Sequence, residues 1–306
     1  MNWLSYTLRG VSQIFFVNNP ISGALILMAV AIDNPLMALL MLLGTLVQTG
    51  VGYLQRHEEL VPQGLMGFNG ALVGAFAGFA QLPPVLAIFV TILGATACVP
   101  MHDVVTRLFT SRPLAGAQLP VSTAPFCIIC GVLMTLAAQL AHPLDPTTGS
   151  GVAESLELTI AHSFSEVVLS DNIFTGLLII VALFIGSVQI GLFGLLGMLV
   201  ANLVALLFGH PLSAVSAGLH GYSAVLVAIA LGATFWTRER TVTRVVGAVV
   251  GAALAVSIGI GLGHTPIPVF TWPFLISMWL IMLAWYAVRS RSATRSPQDG
   301  AVPTSH

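Results

Sequence analysis

This sequence contains very few charged residues. Only 7% of its 306 residues are Asp, Glu, Lys or Arg, whereas a soluble domain carries about 25%. So few charged side chains cannot cover a water-facing surface, and the mean hydropathy of +0.96 indicates that lipid surrounds most of the exterior. A net charge of −1 with only ten basic residues also argues against nucleic acid as a partner.

Cysteine is scarce as well. Cys98, Cys127 and Cys130 all lie inside apolar runs, so we interpret them as packing residues, although Cys127 and Cys130 have the spacing of a redox motif. The histidines show no metal-binding spacing, and neither a Walker-type phosphate loop nor a nucleophile elbow occurs. We therefore predict no metal, no cofactor and no enzymatic activity. No cleavable secretory signal is evident at the N-terminus.

Long apolar runs are what the sequence has in abundance. Five runs lie in the first repeat at 1–141 and five in the second at 164–288, with a polar linker at 142–163 between them. The tail at 289–306 is polar, and we predict that it is disordered and cytoplasmic. The candidate spans are Pro20–Ile32, Pro35–Leu54, Gly64–Gln81, Pro83–Pro100, Leu119–Leu140, Ile173–Ser187, Ile190–Leu207, Ala217–Trp236, Val245–Leu262 and Pro268–Val288.

The basic residues give these spans an orientation. All ten are arginines, and if Arg9 is cytoplasmic and each run crosses once, all ten fall on the cytoplasmic side. Acidic residues such as Asp33 and Asp171 fall on the other side. This distribution follows the positive-inside bias. It predicts a multi-pass protein of the cell membrane, plasma or bacterial inner, with both termini in the cytoplasm.

The two sets of runs resemble each other. The segment from Ser12 aligns with that from Ser165, the segment from Gly64 with that from Gly218, and Thr123 with Thr271, at offsets of 153, 154 and 148 residues. Similar blocks in the same order indicate a duplication. Because five crossings is an odd number, the second copy is expected to be inverted, and inverted repeats place a solute site at their interface.

Gln13 and Glu166 occupy the same position in the two copies, each just before an apolar run. A carboxylate or amide at membrane depth is costly, and it is a functional candidate by default. The alternative is that both residues sit at the water interface and cap helices. Because both copies keep an oxygen acceptor, we favour a role in binding a solute.

Each third span begins with a glycine–aromatic block that carries Phe68 or Tyr222. The glycines either let a ring and backbone carbonyls approach a pore axis or only pack helices closely. The neighbouring Asn69 and Ser223 are interpreted as capping or packing groups. His220, beside the second block, is interpreted as a packed neutral histidine rather than a pH-sensitive gate.

Thr123 and Thr271 precede Pro125 and Pro273. A proline inside a helix would leave the carbonyls of Val121 and Val269 without an amide donor. The threonine hydroxyls could offer oxygen to a solute or satisfy only their own helix, and the spacing does not separate the two. Acceptor oxygens between flat rings, without rings of charge, suit a planar, neutral molecule rich in N–H donors.

Over roughly residues 1–290 the chain resembles the urea transporter family, most clearly in GLMGFNGALVG, GLHGYSAVLVA, LPVSTAPF and PVFTWPF. The resemblance implies an all-α polytopic membrane protein with two inverted halves of about five transmembrane helices each, plus short re-entrant pore helices. It also implies a homotrimer in which each protomer passively conducts urea, with related small amides as further candidates. The implied substrate-binding residues are Gln13, Ile14, Phe16, Phe68, Leu72, Thr123, Glu166, Val167, Leu169, Tyr222, Leu226 and Thr271.

Two residues depart from the family pattern. Tyr222 stands where a second Phe is usual, and we expect its hydroxyl to add a donor and to narrow or tilt the slot. Leu169 replaces an aromatic residue. The alternatives to a channel are an ion-coupled transporter of urea or short-chain amides, with Glu166 as the ion site, and a non-conducting sensor or membrane enzyme subunit.

Overall fold

All regular elements in the described part of the chain are helices. The computed structural model describes residues 2–140, 156–210, 218, 221–266 and 268–294, and no β-strand occurs in these ranges. The helices are α1 (Trp3–Ser12), α2 (Pro20–Asp33), α3 (Pro35–Leu54), α4 (Phe68–Phe79), α5 (Pro84–Phe109), α6 (Ala124–Leu140), α7 (Leu156–Ser165), α8 (Ile173–Gly186), α9 (Val188–Leu207), α10 (Tyr222–Ile229), α11 (Thr241–Gly263) and α12 (Trp272–Thr294).

Among the described residues, five helices, α3, α5, α9, α11 and α12, are long and apolar enough to cross a membrane. Two pairs are bent: α1 with α2 at 74°, and α7 with α8 at 82°, so each pair is a broken span or a re-entrant loop. The helices α4, α6 and α10 are apolar but shorter. The predicted class, an all-α polytopic membrane protein, is confirmed.

Some boundaries differ from those predicted. The helix α7 begins at Leu156, inside the stretch assigned to the polar linker, and α12 continues to Thr294, inside the predicted tail. Residues 141–155 and 295–306, which hold the rest of those two segments, lie outside the described residues, as does His220. Pro100 does not end α5, which continues to Phe109.

The helices of the two copies begin by the same local chemistry. Asn19 accepts hydrogen bonds from backbone N–H groups in the first turn of α2, and Asn172 does the same for α8. Asn34 caps α3 and Ser187 caps α9. Side-chain oxygens at these positions satisfy N–H groups that have no partner within the helix. All four caps fall at matched repeat positions.

The backbone also bends twice in the same way. Phe16 and Leu169 have φ angles of 61° and 60°, and Gly64 and Gly218 have φ angles of 77° and 73°. Positive φ is unusual for residues other than glycine. Its recurrence at matched positions indicates that both copies follow one path.

The helices α2 and α8 join the two copies. The Ser22 hydroxyl donates to the carbonyl oxygen of Ala182 (2.7 Å), and the Thr175 hydroxyl donates to that of Ala29 (3.0 Å). The start of each helix therefore contacts the latter part of the other, so the two run antiparallel. The two hydrogen bonds are equivalent, because Ser22 corresponds to Thr175 and Ala29 corresponds to Ala182 in the repeat.

Glycines allow α3 and α4 to cross closely. A Cβ atom on Gly70 would overlap the carbonyl of Gly44, and one on Gly44 would overlap the carbonyl of Gly70. The amide of Gly70 donates to Gln48 Oε1 at 2.6 Å. For the first glycine–aromatic block, close packing is therefore the observed role.

Loops that the arginine count assigned to one side lie together. Arg9 donates to the carbonyl of Pro62, and His57 lies 3.3 Å from Asp103. The side chains of Ser170 and Asn172 both donate to Asp33. These three residues lie in loops assigned to the non-cytoplasmic side. The outward surface is apolar, with exposed side chains such as Leu39, Leu54, Phe79, Val85 and Phe89, as a lipid-facing exterior requires.

Candidate functional site

The central feature of the site is a contact between the two copies. The hydroxyl oxygens of Thr123 and Thr271 lie 2.7 Å apart, and Thr271 also lies 3.0 Å from the sulfur of Cys127. All three side chains are buried. The sequence left open whether these hydroxyls bond only within their own helices. In the structure they bond to each other, between the two copies.

The prolines act at helix starts rather than inside helices. Because α6 begins at Ala124 and α12 at Trp272, Pro125 and Pro273 lie in the first turns, where a missing N–H costs little. The carbonyl of Val121 accepts from Ala124 N, and that of Val269 accepts from Trp272 N. The expectation that these two carbonyls lack amide donors is therefore wrong.

A group of aromatic rings lies next to Thr271 in the chain. The Phe270 ring, next to Thr271, makes edge contacts with Phe126 (5.2 Å between centroids) and Phe76 (5.6 Å). Because water has little access to such a group of rings, hydrogen bonds to the hydroxyls there are stronger than in solution.

Gln13 begins a 3₁₀ turn that ends at Phe15. Its amide nitrogen donates to the carbonyl of Gln63 at 2.9 Å. That bond fixes the side chain against the loop before α4 and leaves the amide oxygen as an acceptor. Ile14, the next residue, is buried.

Glu166 begins the equivalent turn, which ends at Val168. No residue in the described ranges forms a hydrogen bond or ion pair with its side chain, which is half-buried. A carboxyl group in such a position has acceptor oxygens that are available to N–H donors. Val167 beside it is buried.

The predicted apolar residues belong to one hydrophobic cluster. Its buried members from the predicted set are Ile14, Phe68, Leu72, Val167 and Leu226, and Phe16, Leu169 and Tyr222 pack against it. The helix α4 contacts the turn that begins at Gln13, and α10 contacts the turn that begins at Glu166. The structure therefore brings the predicted residues of each copy together.

Phe16 has partners on the second copy. Its ring makes edge contacts with Phe274 (6.0 Å) and Phe235 (5.6 Å). Leu169, at the matched position, is half-buried. The two ends of the site therefore differ in shape, because only one of these positions carries a ring.

The Tyr222 hydroxyl is already bonded. It donates to the carbonyl oxygen of Phe270 at 2.7 Å. The sequence predicted that this hydroxyl adds a donor to the slot. In the structure this hydroxyl donates to a backbone carbonyl. The face of the Tyr222 ring is then the part available for contact with a solute.

A cavity of about 650 Å³ adjoins this region, and Phe235, which touches Phe16, is part of its wall. Trp236, Trp285 and Tyr286 supply further aromatic lining, and Arg289 is ion-paired with Glu239 at its edge. The three stretches that form it, 116–118, 235–239 and 282–289, lie in loops assigned to the cytoplasmic side or in the ends of the predicted spans next to those loops. Such size and lining suit a small-molecule passage or site.

Comparison with known proteins decides the family. Residues 4–286 match the family described as urea transporter. The chain belongs to the urea transporter family. Urea transporter 1 of Rattus norvegicus is 26% identical over 307 residues, covering 92% of this chain and 77% of that protein. Urea transporter 1 of Mus musculus and of Ovis aries are each 26% identical over 299 residues, with the same coverage.

The family resemblance stated from sequence motifs is thereby confirmed, and with it membership of a family that transports urea across membranes. Six residues of this urea transporter contact the predicted site residues or the rings beside them, and sequence reasoning did not assign them to the site: Asn69, Phe126, Cys127, Phe235, Phe270 and Phe274. Phe126, Phe270 and Phe274 stand inside the quoted threonine–proline motifs, so a signal was present. The contacts of Cys127 and Phe235 depend on distant segments and leave no local signal.

Proposed function

We propose that this urea transporter conducts urea passively, as a channel, along the interface between its two repeats. The contact between Thr123 and Thr271 carries this proposal, because it brings matched hydroxyls of the two copies together, and the rings of Phe126 and Phe270 lie close to them in the chain. A planar molecule fits between flat rings, and its N–H groups need acceptor oxygens once water is removed. Gln13 and Glu166 supply such oxygens on either side.

The repeats in this proposal are inverted. The antiparallel packing of α2 and α8, with hydrogen bonds from Ser22 and Thr175 exchanged between matched positions, supports it. An inverted pair brings the same elements to the pore from opposite faces, so that Gln13 and Glu166 serve equivalent places on its two sides. The cavity beside Phe235 then forms the vestibule at the cytoplasmic mouth.

Charge argues against an anion pathway. The proposed lining residues carry one carboxylate, Glu166, and no basic side chain. A permeating anion would find no compensating charge there. Formamide, acetamide, ammonia and water remain candidate solutes because they are small and uncharged. The protein is proposed to act in the cell membrane as a homotrimer with one pore in each protomer, which native mass spectrometry in detergent would test.

The alternative is ion-coupled transport, and one observation favours it: the Glu166 carboxyl group forms no hydrogen bond or ion pair with the described residues, which leaves it open to a proton. The two mechanisms respond differently to a membrane potential. Coupled uptake of a neutral solute with a cation is driven by the potential and by the ion gradient, whereas passive flux of urea depends only on the urea gradient.

The experiment is stopped-flow urea efflux from liposomes that contain the purified protein, with protein-free liposomes as the control. We expect urea flux that is unchanged when ionophores collapse the proton and sodium gradients and the potential. Loss of flux under ionophores would favour the coupled mechanism. Flux no greater than that of empty vesicles would contradict transport by this chain.

A further inference from the structure

Each central threonine follows a residue in a left-handed backbone conformation. Ser122, before Thr123, has a φ of 47°, and Phe270, before Thr271, has a φ of 34°. A residue with a Cβ atom is strained there, so the conformation persists only where neighbouring groups hold it. What holds the carbonyls of Ser122 and Phe270 therefore determines where the two threonines point.

In the first copy, Asn69 holds this segment. Its amide nitrogen donates to the carbonyl of Ser122 (3.2 Å), and its amide oxygen accepts from the backbone N–H of Phe126 (3.1 Å). Asn69 is fully buried. Its two bonds reach the residue before Thr123 and the first turn of α6, and so fix the bend on both sides of the threonine.

In the second copy, a different residue binds the equivalent carbonyl. The Tyr222 hydroxyl donates to Phe270 O at 2.7 Å, and Tyr222 is the counterpart of Phe68, not of Asn69. The counterpart of Asn69 is Ser223, a buried side chain whose hydroxyl lies beside the Tyr222 hydroxyl and forms no hydrogen bond to the Phe270 carbonyl in the part of the chain that the structure describes. In this copy tyrosine binds the carbonyl, from one residue earlier in the chain.

We propose that Asn69 and Tyr222 are equivalent positioning residues, each of which fixes the left-handed residue before a central threonine and so sets the threonine pair through which urea is selected. The inference rests on the proposed function and extends it, because neither polar group contacts the solute in this account. The proposal explains why the copies differ at two adjacent positions together: the first has Phe68 and Asn69, and the second has Tyr222 and Ser223.

The internal repeat provides the test, because the residue pair that holds the carbonyl in one copy can be introduced at the matched positions of the other copy. We would compare Asn69→Ser with the double variant Phe68→Tyr/Asn69→Ser, and Tyr222→Phe with Tyr222→Phe/Ser223→Asn, in proteoliposomes. Urea and formamide fluxes would be measured by stopped flow. A matched control is Tyr53→Phe, which removes a hydroxyl from α3 at a residue that contacts Trp3 and not the site.

Each single variant is expected to lower urea flux by about tenfold, because a buried carbonyl loses its donor, and to change the ratio of urea to formamide flux. Each double variant is expected to recover both quantities to within about threefold, and the control to match the wild type. Doubles no better than their singles, or singles with unchanged flux and ratio, would overturn the proposal.

Thermal unfolding in detergent provides a readout that does not depend on transport. The midpoint is expected to fall in each single variant and to recover in its double; if a single variant does not fold, recovery of folded protein in the double supports the proposal and continued failure opposes it. Wild-type protein that conducts no urea would contradict the proposed function alone, because the unfolding midpoints still report whether Asn69 and Tyr222 hold these two segments.

Discussion

Thr123 and Thr271 face each other across the repeat interface with 2.7 Å between their hydroxyl oxygens. Two oxygens at hydrogen-bond distance leave no room for a molecule between them. In the proposed pathway a permeating solute has to separate the pair, and we expect it to replace the lost hydrogen bond with its own N–H and C=O groups. We therefore expect this contact to favour solutes that offer both a donor and an acceptor.

Removing either central hydroxyl should slow the conduction of urea. We expect Thr123→Val and Thr271→Val each to lower urea flux by about tenfold or more, because the partner hydroxyl and the solute lose a buried hydrogen bond worth about 1–3 kcal/mol. Stopped-flow efflux measures the effect. The control is Thr135→Val, since Thr135 is exposed on α6 and its hydroxyl bonds to Gly131 of the same helix. Equal flux in all three variants would remove the hydroxyls from the pathway.

Replacing Glu166 with Gln should weaken the binding of N–H donors while nearly preserving the shape of the side chain. Glu166→Gln is expected to reduce urea flux about fivefold, because an NH₂ donor replaces one of the two acceptor oxygens and a hydrogen bond worth about 1 kcal/mol is lost. Glu58→Gln, at an exposed loop position, is the matched control. Undiminished flux in Glu166→Gln would show that this carboxylate takes no part in conduction.

The crossing of α3 and α4 should not tolerate a single added methyl group. Gly70→Ala places a Cβ against the carbonyl of Gly44, and we expect a loss of about 1–3 kcal/mol in the free energy of unfolding. Gly50→Ala, also on α3, is the control, because a Cβ there meets nothing within 4 Å. It is expected to be neutral or to stabilise the protein by up to about 1 kcal/mol. Equal unfolding midpoints in detergent would contradict the close crossing.

Labelling from either side of the membrane tests the predicted topology. The three native cysteines are buried, so a membrane-impermeant maleimide should react only with introduced ones. We expect Arg112→Cys to be labelled from the cytoplasmic side and Thr265→Cys from the opposite side, because the loops after α5 and α11 fall on opposite faces in that topology. Both positions are exposed. Labelling of both from one side would refute the inverted arrangement.

Features that depend on local chemistry could be predicted from the sequence. Asn19 and Asn172 cap α2 and α8 just before the apolar runs that hydropathy identified. Gln13 and Glu166 were found because both copies place an acceptor oxygen before such a run. The bends at Phe16 and Leu169, which shorten the flanking helices, could not be predicted, because neither residue type favours positive φ and only surrounding contacts hold it there.

Within the site, the sequence identified Thr123 and Thr271 but left the direction of their hydroxyls open. It assigned Asn69 to capping or packing and Tyr222 to the slot. The structure instead gives both residues a bond to a backbone carbonyl more than 40 residues away in the chain. No periodicity or spacing contains such a pairing.

The sequence by itself determined that this chain is an all-helical membrane protein of the urea transporter family, because hydropathy, arginine placement and repeated motifs are properties of single segments. Only the tertiary structure decided which polar groups meet at the centre. The Thr123–Thr271 contact and the bonds of Asn69 and Tyr222 exist because α4, α6, α10 and α12 converge there, and hydrogen bonding between distant segments is set by that packing.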